Sequence, residues 1–204
     1  MFITRTRITL ATLATGALLF AAGCGDDSES MSGTDHATSS SAAAATSAAR
    51  TDFDNADVTF LQMMYPHHAQ AVEMAKLVPG RTKNPQLLAL AAEVEKAQAP
   101  EMEQISSLLR SFGKPAPTTG GGHEAHGMPG MMPAEEMSAL QAASGAEFDR
   151  MWLEMMIEHH AGAIDMAKTE LADGVNPDAQ ALARSVITAQ EAEIATMRTM
   201  LGQN

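Results

Sequence analysis

No disulfide can form within this chain, because its 204 residues include one cysteine, Cys24. Packing, hydrogen bonds or a metal must hold the fold together instead. Aromatic residues are scarce at 4%, and almost no run shows the two-residue alternation of a half-buried strand. A β-sandwich or barrel is thereby excluded, and an all-α domain is expected. Positive charge is short too: 13 Lys and Arg stand against 25 Asp and Glu, for a formal net charge of −12. Such a surface repels phosphate backbones, so no nucleic-acid partner is expected.

Long apolar runs are also missing. The longest, Ile8 to Ala22, falls short of the roughly 20 residues that a membrane-spanning helix needs. It follows Arg5 and Arg7 and precedes small residues, which is the three-part plan of an export signal over residues 1–24. The run Ala21-Ala22-Gly23-Cys24 resembles the lipobox of bacterial lipoproteins. That resemblance implies lipidation at Cys24, a location outside the cytoplasm and a membrane anchor at the N-terminus. Residues 25–51, rich in Ser, Thr, Ala, Gly and Asp, have no apolar period and are expected to be a disordered tether. The folded domain is expected over residues 52–202.

What the chain does have is one unit written twice. The stretch Asp57 to Lys76, with Phe60, Met63, Met64, His67, His68 and Met74, returns as Asp149 to Lys168, with Trp152, Met155, Met156, His159, His160 and Met166. The offset is 92 positions throughout, and it also relates Asn84-Pro85 to Asn176-Pro177, Leu90 to Leu182 and Gln98 to Gln190. One gapless offset over so long a span marks a duplicated structural unit.

Each copy reads as two helices. The first is expected from Asp52 to Val78, with Asp52 or Asp54 as N-cap, a kink before Pro66, and a stop at Pro79-Gly80. The second, Pro85 to Phe112, starts with Pro at its first position and contains Pro100 as a bend. Residues 113–133, with Gly113, Pro115, Pro117, Gly120 to Gly122 and Pro129 to Pro133, form a linker too broken to be helical. A short amphipathic helix is expected over Ala134 to Ala142. The second copy follows as Ala146 to Ala172, closed by Gly174 as a glycine cap, and Pro177 to Leu201. Short connections make each pair an αα-hairpin, and two hairpins with one apolar face each bury those faces against one another, giving a four-helix bundle.

Helix geometry locates the histidines. At about 100° per residue, Phe60, Met63, Met64, Ala71 and Met74 all fall within about 60° of His67, whereas His68 lies near the edge of that face. His159 sits in the same way among Met155, Met156 and Met166, while Glu73 and Asp165 point away. Side chains four apart on a helix stand about 6 Å from each other, so an imidazole and a thioether can share an ion. Candidate ligands are therefore Met63 with His67, Met64 with His68, Met155 with His159, Met156 with His160, and the trailing Met74 and Met166. The linker adds a secondary set in His123, His126, Met128, Met131 and Met132. Thioethers are soft and suit Cu(I), and by extension Ag(I); imidazole accepts Cu(I), Cu(II) and Zn(II).

A carboxylate-bridged di-iron bundle needs Glu-x-x-His on two helices. The residues three before His67, His68, His159 and His160 are Met64, Tyr65, Met156 and Ile157, so the motif is absent. Two other readings stay open. One is a metal-free structural or partner-binding helical module, since a methionine stripe also serves as core filling; the other is a metal-dependent redox enzyme. No catalytic base or nucleophile is legible.

The pattern Phe-x-x-x-Met-x-x-His-His-x-x-Ala-x-x-Met-Ala, seen as Trp152 to Ala167 and with variation as Phe60 to Ala75, resembles the ferritin-like family called domain of unknown function 305. Leu140 to Asp149 belongs to the same pattern, and the similarity covers about residues 53–202. The resemblance implies a ferritin-like helical bundle. Family members with an assigned role are periplasmic copper-binding proteins of the CopM type, so it also implies copper handling. The expected function is thus that of an exported, lipid-anchored copper-binding protein that buffers the ion, transfers it to a partner protein or confers resistance.

Overall fold

The computed structural model describes residues 50–115 and 127–202. Its elements are α1 (Asn55–Arg81), α2 (Pro85–Ser111), α3 (Ala134–Ala142), α4 (Gly145–Asp173) and α5 (Pro177–Met200), and among the described residues there is no strand. The export signal, Cys24 and nearly all of the tether lie outside the described residues. The tether's last residues are not free: Arg50 donates its backbone N–H to Ser111 O at 2.9 Å and its guanidinium to Asp52 and Asp178.

The second helix of each hairpin starts from the same local chemistry. Asn84 and Asn176 cap α2 and α5, each side chain accepting two backbone N–H groups, with Pro85 and Pro177 filling the first helical position, where no N–H is needed. Asp54 caps α1 in a reciprocal box with Asp57: the Asp54 carboxylate accepts from Ala56 N and Asp57 N, and Asp57 accepts from Asp54 N.

Two helix ends differ from expectation. α1 runs through Pro79 and Gly80 to Arg81, because a proline in the last turn forfeits only its own hydrogen bond, and Thr82 N still reaches Val78 O at 3.3 Å. Gly174 does end α4, but with φ −75°, so no left-handed cap forms. Its small size leaves room for the Glu170 carboxyl, which a Cβ would meet at 2.4 Å. α1 and α2 are continuous through Pro66 and Pro100.

α1 packs along α2 and α4 along α5, and the two hairpins meet chiefly through α1 and α4. These central helices cross antiparallel at the histidines. His67 faces His159, and seven residues further on in α1 Met74 O accepts from Trp152 Nε1 at 2.9 Å, Trp152 being seven residues before His159 in α4. Repeat-related ties close the two ends. Asp57 accepts from Val175 N at 3.1 Å and Asn176 N at 2.8 Å, while its counterpart Asp149 accepts from Asn84 Nδ2 at 3.1 Å.

The core divides into two clusters on either side of the histidines. One holds Met74, Met155, Met156, Phe148, Trp152 and Leu140; the other holds Phe60, Leu61, Met64, Met166, Leu109 and Leu182, with Met63 at its border. Burying side chains of this size contributes about 1.5–3 kcal/mol each, which offsets the cost of placing four imidazoles between the clusters. No helix among the described residues is long and apolar enough to cross a membrane.

Candidate metal centre

Four imidazoles occupy the middle of the bundle, and all four are 0% exposed. The geometry that puts His67 there follows from its place on the apolar face of α1. His68, expected at the edge of that face, is just as deeply buried, because α2 covers it. The rings of His67 and His159 approach to 3.7 Å between centroids at an interplanar angle of 39°. Two positive rings so close and so dry would repel, and both groups are pushed toward the neutral form. Burial, and then the neighbouring His68, bring His67 down to about 3; burial, and then His67, hold His159 well below the ordinary value.

The outer pair is held differently. His68 Nε2 lies 2.7 Å from Glu101 Oε2 of α2, and His160 Nε2 lies 2.6 Å from Glu193 Oε2 of α5. A carboxylate can only accept, so Nε2 carries the proton in both rings. Reasoning from the sequence missed these two glutamates. A signal was present: they are related by the same 92-residue offset, and each lies three residues after a buried glutamine, Gln98 or Gln190. A carboxylate on the inward face of a helix in both copies points to an interior partner.

The linker reaches the site from outside. Residues 127–133 lie over the crossing of α1 and α4 as a strap. Pro129 O accepts from His67 Nε2 at 3.0 Å, and Gln70 grips Met132 at both backbone groups, accepting from its N at 2.8 Å and donating to its O at 2.9 Å. Gly130 has φ +75°, which an L side chain rarely adopts, and a Cβ there would lie 2.7 Å from Glu158 O. A Cβ on Gly162 would lie 2.1 Å from Pro129 O. Gln70 and Gly162 occupy equivalent positions in the two repeats, 92 apart. One copy holds the strap and the other makes room for it, so the duplication is broken where a single linker must cover two halves.

The thioethers sort across the repeats, not within them. Met74 of the first copy joins Met155 and Met156 of the second, and Met166 of the second joins Met64 and Met63 of the first. Met63 and Met166 line a cleft of about 390 Å³ with Phe60, Pro129 and Glu170. The antiparallel crossing carries residues seven places past one histidine toward the start of the opposite helix, so the trailing Met74 and Met166 each join the other copy's methionine pair. Of the secondary set, Met132 is buried beside the first cluster, Met131 and Met132 line a separate cleft of about 620 Å³ with Gln70 and Glu73, and Met128 is partly buried on the strap. His123 and His126 lie outside the described residues.

Nδ1 of His67, His68, His159 and His160 is buried without a hydrogen-bond partner, as are Nε2 of His159 and side-chain amide atoms of Gln98 and Gln190. An unsatisfied buried group costs about 1–3 kcal/mol, and each imidazole nitrogen without hydrogen carries a lone pair that a cation could accept. Among the described residues, no three His, Cys, Asp or Glu side chains are grouped to hold one ion. The imidazole nitrogens and the thioethers of the two clusters are the candidate donors.

Comparison with known proteins gives consistent results. A candidate secreted protein of the same domain type from Streptomyces coelicolor is 31% identical, with a TM-score of 0.66 over 72% of this chain and 93% of that one. A fragment of such a protein from Deinococcus radiodurans is 30% identical, with a TM-score of 0.67 over 74% and 98%. CopM in its Cu(II)-bound form is 32% identical, with a TM-score of 0.62 over 71% and 94%, and its structures also include Cu(I)-bound and Ag-bound forms. The chain spans about a third of the length of an uncharacterised protein of Acanthamoeba polyphaga mimivirus, to which it is 36% identical over 53 residues. The profile of the family described as Domain of unknown function (DUF305) matches residues 57–201, and this chain belongs to that family.

Proposed function

We propose that this protein binds copper, as Cu(I) in preference to Cu(II), and Ag(I) in the same site, outside the cytoplasm. The observation that carries the reading is four buried imidazoles, each with Nδ1 unpartnered, set between two clusters of thioethers. That donor set fits a soft ion: imidazole tolerates either copper state, and thioether favours the monovalent one. His67, His68, His159 and His160 would supply nitrogen, and Met63, Met64, Met74, Met155, Met156 and Met166 sulfur. When bound, the ion would be cargo to be buffered or passed to a transfer protein. The metal-bound forms of CopM and the secreted relative support metal binding and an extracytoplasmic location. Anchoring through a lipid on Cys24 is part of the same proposal and rests on the lipobox-like run.

A metal-free module that recognises partner helices through a methionine face has less in its favour, because Met64, Met74 and Met156 are fully buried. The test is a titration of the full-length protein with Cu(I) in competition with a chromogenic chelator, followed by X-ray absorption. Sulfur and nitrogen neighbours are expected, and replacing His67, His159, Met63 and Met155 together should weaken binding. Retained affinity in that variant, or a shell of oxygen alone, would reject the site. Protons should compete with the metal at His67 and His159 only well below pH 6.5, because burial already holds both rings neutral in the metal-free protein.

A further inference from the structure

The geometry points to Nδ1 as the ligating atom of these histidines, with Glu101 and Glu193 as the positioning residues that hold the rings for it. This deepens the copper reading and rests on it. An imidazole offers a metal whichever nitrogen lacks a proton, and the partner of the other nitrogen decides which one that is. In three of the four rings Nε2 is already taken: His68 by Glu101 at 2.7 Å, His160 by Glu193 at 2.6 Å and His67 by Pro129 O at 3.0 Å. All three acceptors are oxygens that cannot donate, so each Nε2 carries its hydrogen, and in the neutral ring it is Nδ1 that keeps the lone pair. Nδ1 is also the atom that is buried and unpartnered in every ring.

The carboxylates come from helices other than those bearing the histidines. Glu101 of α2 reaches across to α1, and Glu193 of α5 reaches across to α4, the side chains remaining 18% exposed while the imidazoles are fully enclosed. Each outer helix thus steadies a ring that the inner helix supplies. A ring tied in this way cannot turn over to present Nε2, and the carboxylate makes Nδ1 a stronger donor. A purely structural tie between neighbouring helices would use the same contact and fix the same tautomer, but would leave the metal affinity alone.

The test uses full-length protein labelled with ¹⁵N in its histidines and long-range proton–nitrogen correlation. Without metal, His68 and His160 are expected as the Nε2–H tautomer. On addition of Ag(I), which is diamagnetic, their Nδ1 resonances should move while Nε2 keeps its proton. Movement of the Nε2 resonances would overturn the assignment and leave the metal site standing. Silence of every imidazole nitrogen toward Ag(I) would overturn the metal reading and this inference with it. Glu101→Ala with Glu193→Ala should weaken Ag(I) binding by roughly 10- to 100-fold, with partial recovery in Glu101→Gln and Glu193→Gln, whose amide oxygen still accepts from Nε2–H. Unchanged affinity in a folded double alanine variant would also refute the role, and the tautomer measurement on the unaltered protein decides the matter if that variant does not fold.

Discussion

Gly162→Ala sets two known effects against each other. Gly162 lies inside α4, where exchanging Gly for Ala ordinarily favours the helix by about 1 kcal/mol. The added Cβ, however, would stand 2.1 Å from Pro129 O, 2.3 Å from Pro129 C and 2.6 Å from Gly130 N, all of them backbone atoms. Backbone cannot rotate aside as a side chain does, so the strap must lift. Lifting breaks the His67–Pro129 hydrogen bond and both Gln70–Met132 bonds. At about 1 kcal/mol each, these three losses exceed the helix gain. A net destabilisation of about 2 kcal/mol follows, equivalent to a fall in Tm of roughly 5 °C for a domain of this size. Calorimetry gives the first number, and amide exchange at Met132 reports the strap directly, since its N–H is held by Gln70. A variant as stable as the parent, with Met132 still protected, would refute the packing argument.

Glu170 is buried at 1% exposure beside Asp57. Burial first, and then the Asp57 and Asp54 carboxyls, raise its pKa from 4.5 to about 8. Stability from the protonated form is therefore complete below pH 4.5 and is lost as pH rises toward 8, by at most ~5 kcal/mol at ~1.4 kcal/mol per pH unit. Glu170→Gln should remove this decline, so urea midpoints of parent and variant should diverge between pH 5 and pH 8; parallel curves would contradict it. The difference isolates Glu170, because His67 and His159, held neutral by burial and costing stability as pH falls below 6.5 toward 3, contribute alike to parent and variant. Asp57→Ala should cost about 2–3 kcal/mol in urea denaturation, since the backbone N–H groups of Asp54, Val175 and Asn176 lose their acceptor together. Trp152, the one tryptophan, is buried in the cluster with Met74, Met155 and Met156, so Cu(II) should quench its emission and His159→Ala should reduce that quenching.

Much of the architecture was legible in the chain. The 92-residue offset establishes the duplication, and Asn84-Pro85 and Asn176-Pro177 fix the start of the second helix in each hairpin to the residue, because a side-chain cap followed by Pro leaves little freedom. The apolar faces place His67 and His159 inside, which burial bears out. Helix ends at Pro79 and Gly174 were less legible, since one proline in a last turn and one small residue beside Glu170 each have more than one structural use.

The chain by itself determined what lies on each helix: which residues are apolar, which side the imidazoles share, and that two copies must pair their faces. Periodicity is a local property, set by 3.6 residues per turn, and survives without any knowledge of neighbours. Only the tertiary structure decided which sulfurs share a cluster, because the antiparallel crossing at His67 and His159 brings Met166 to Met63 and Met74 to Met155. It alone also placed Glu101, Glu193 and Pro129 on the imidazole Nε2 atoms. Those contacts join residues 33 or 62 positions apart, and a helical repeat carries no information about distances across a bundle.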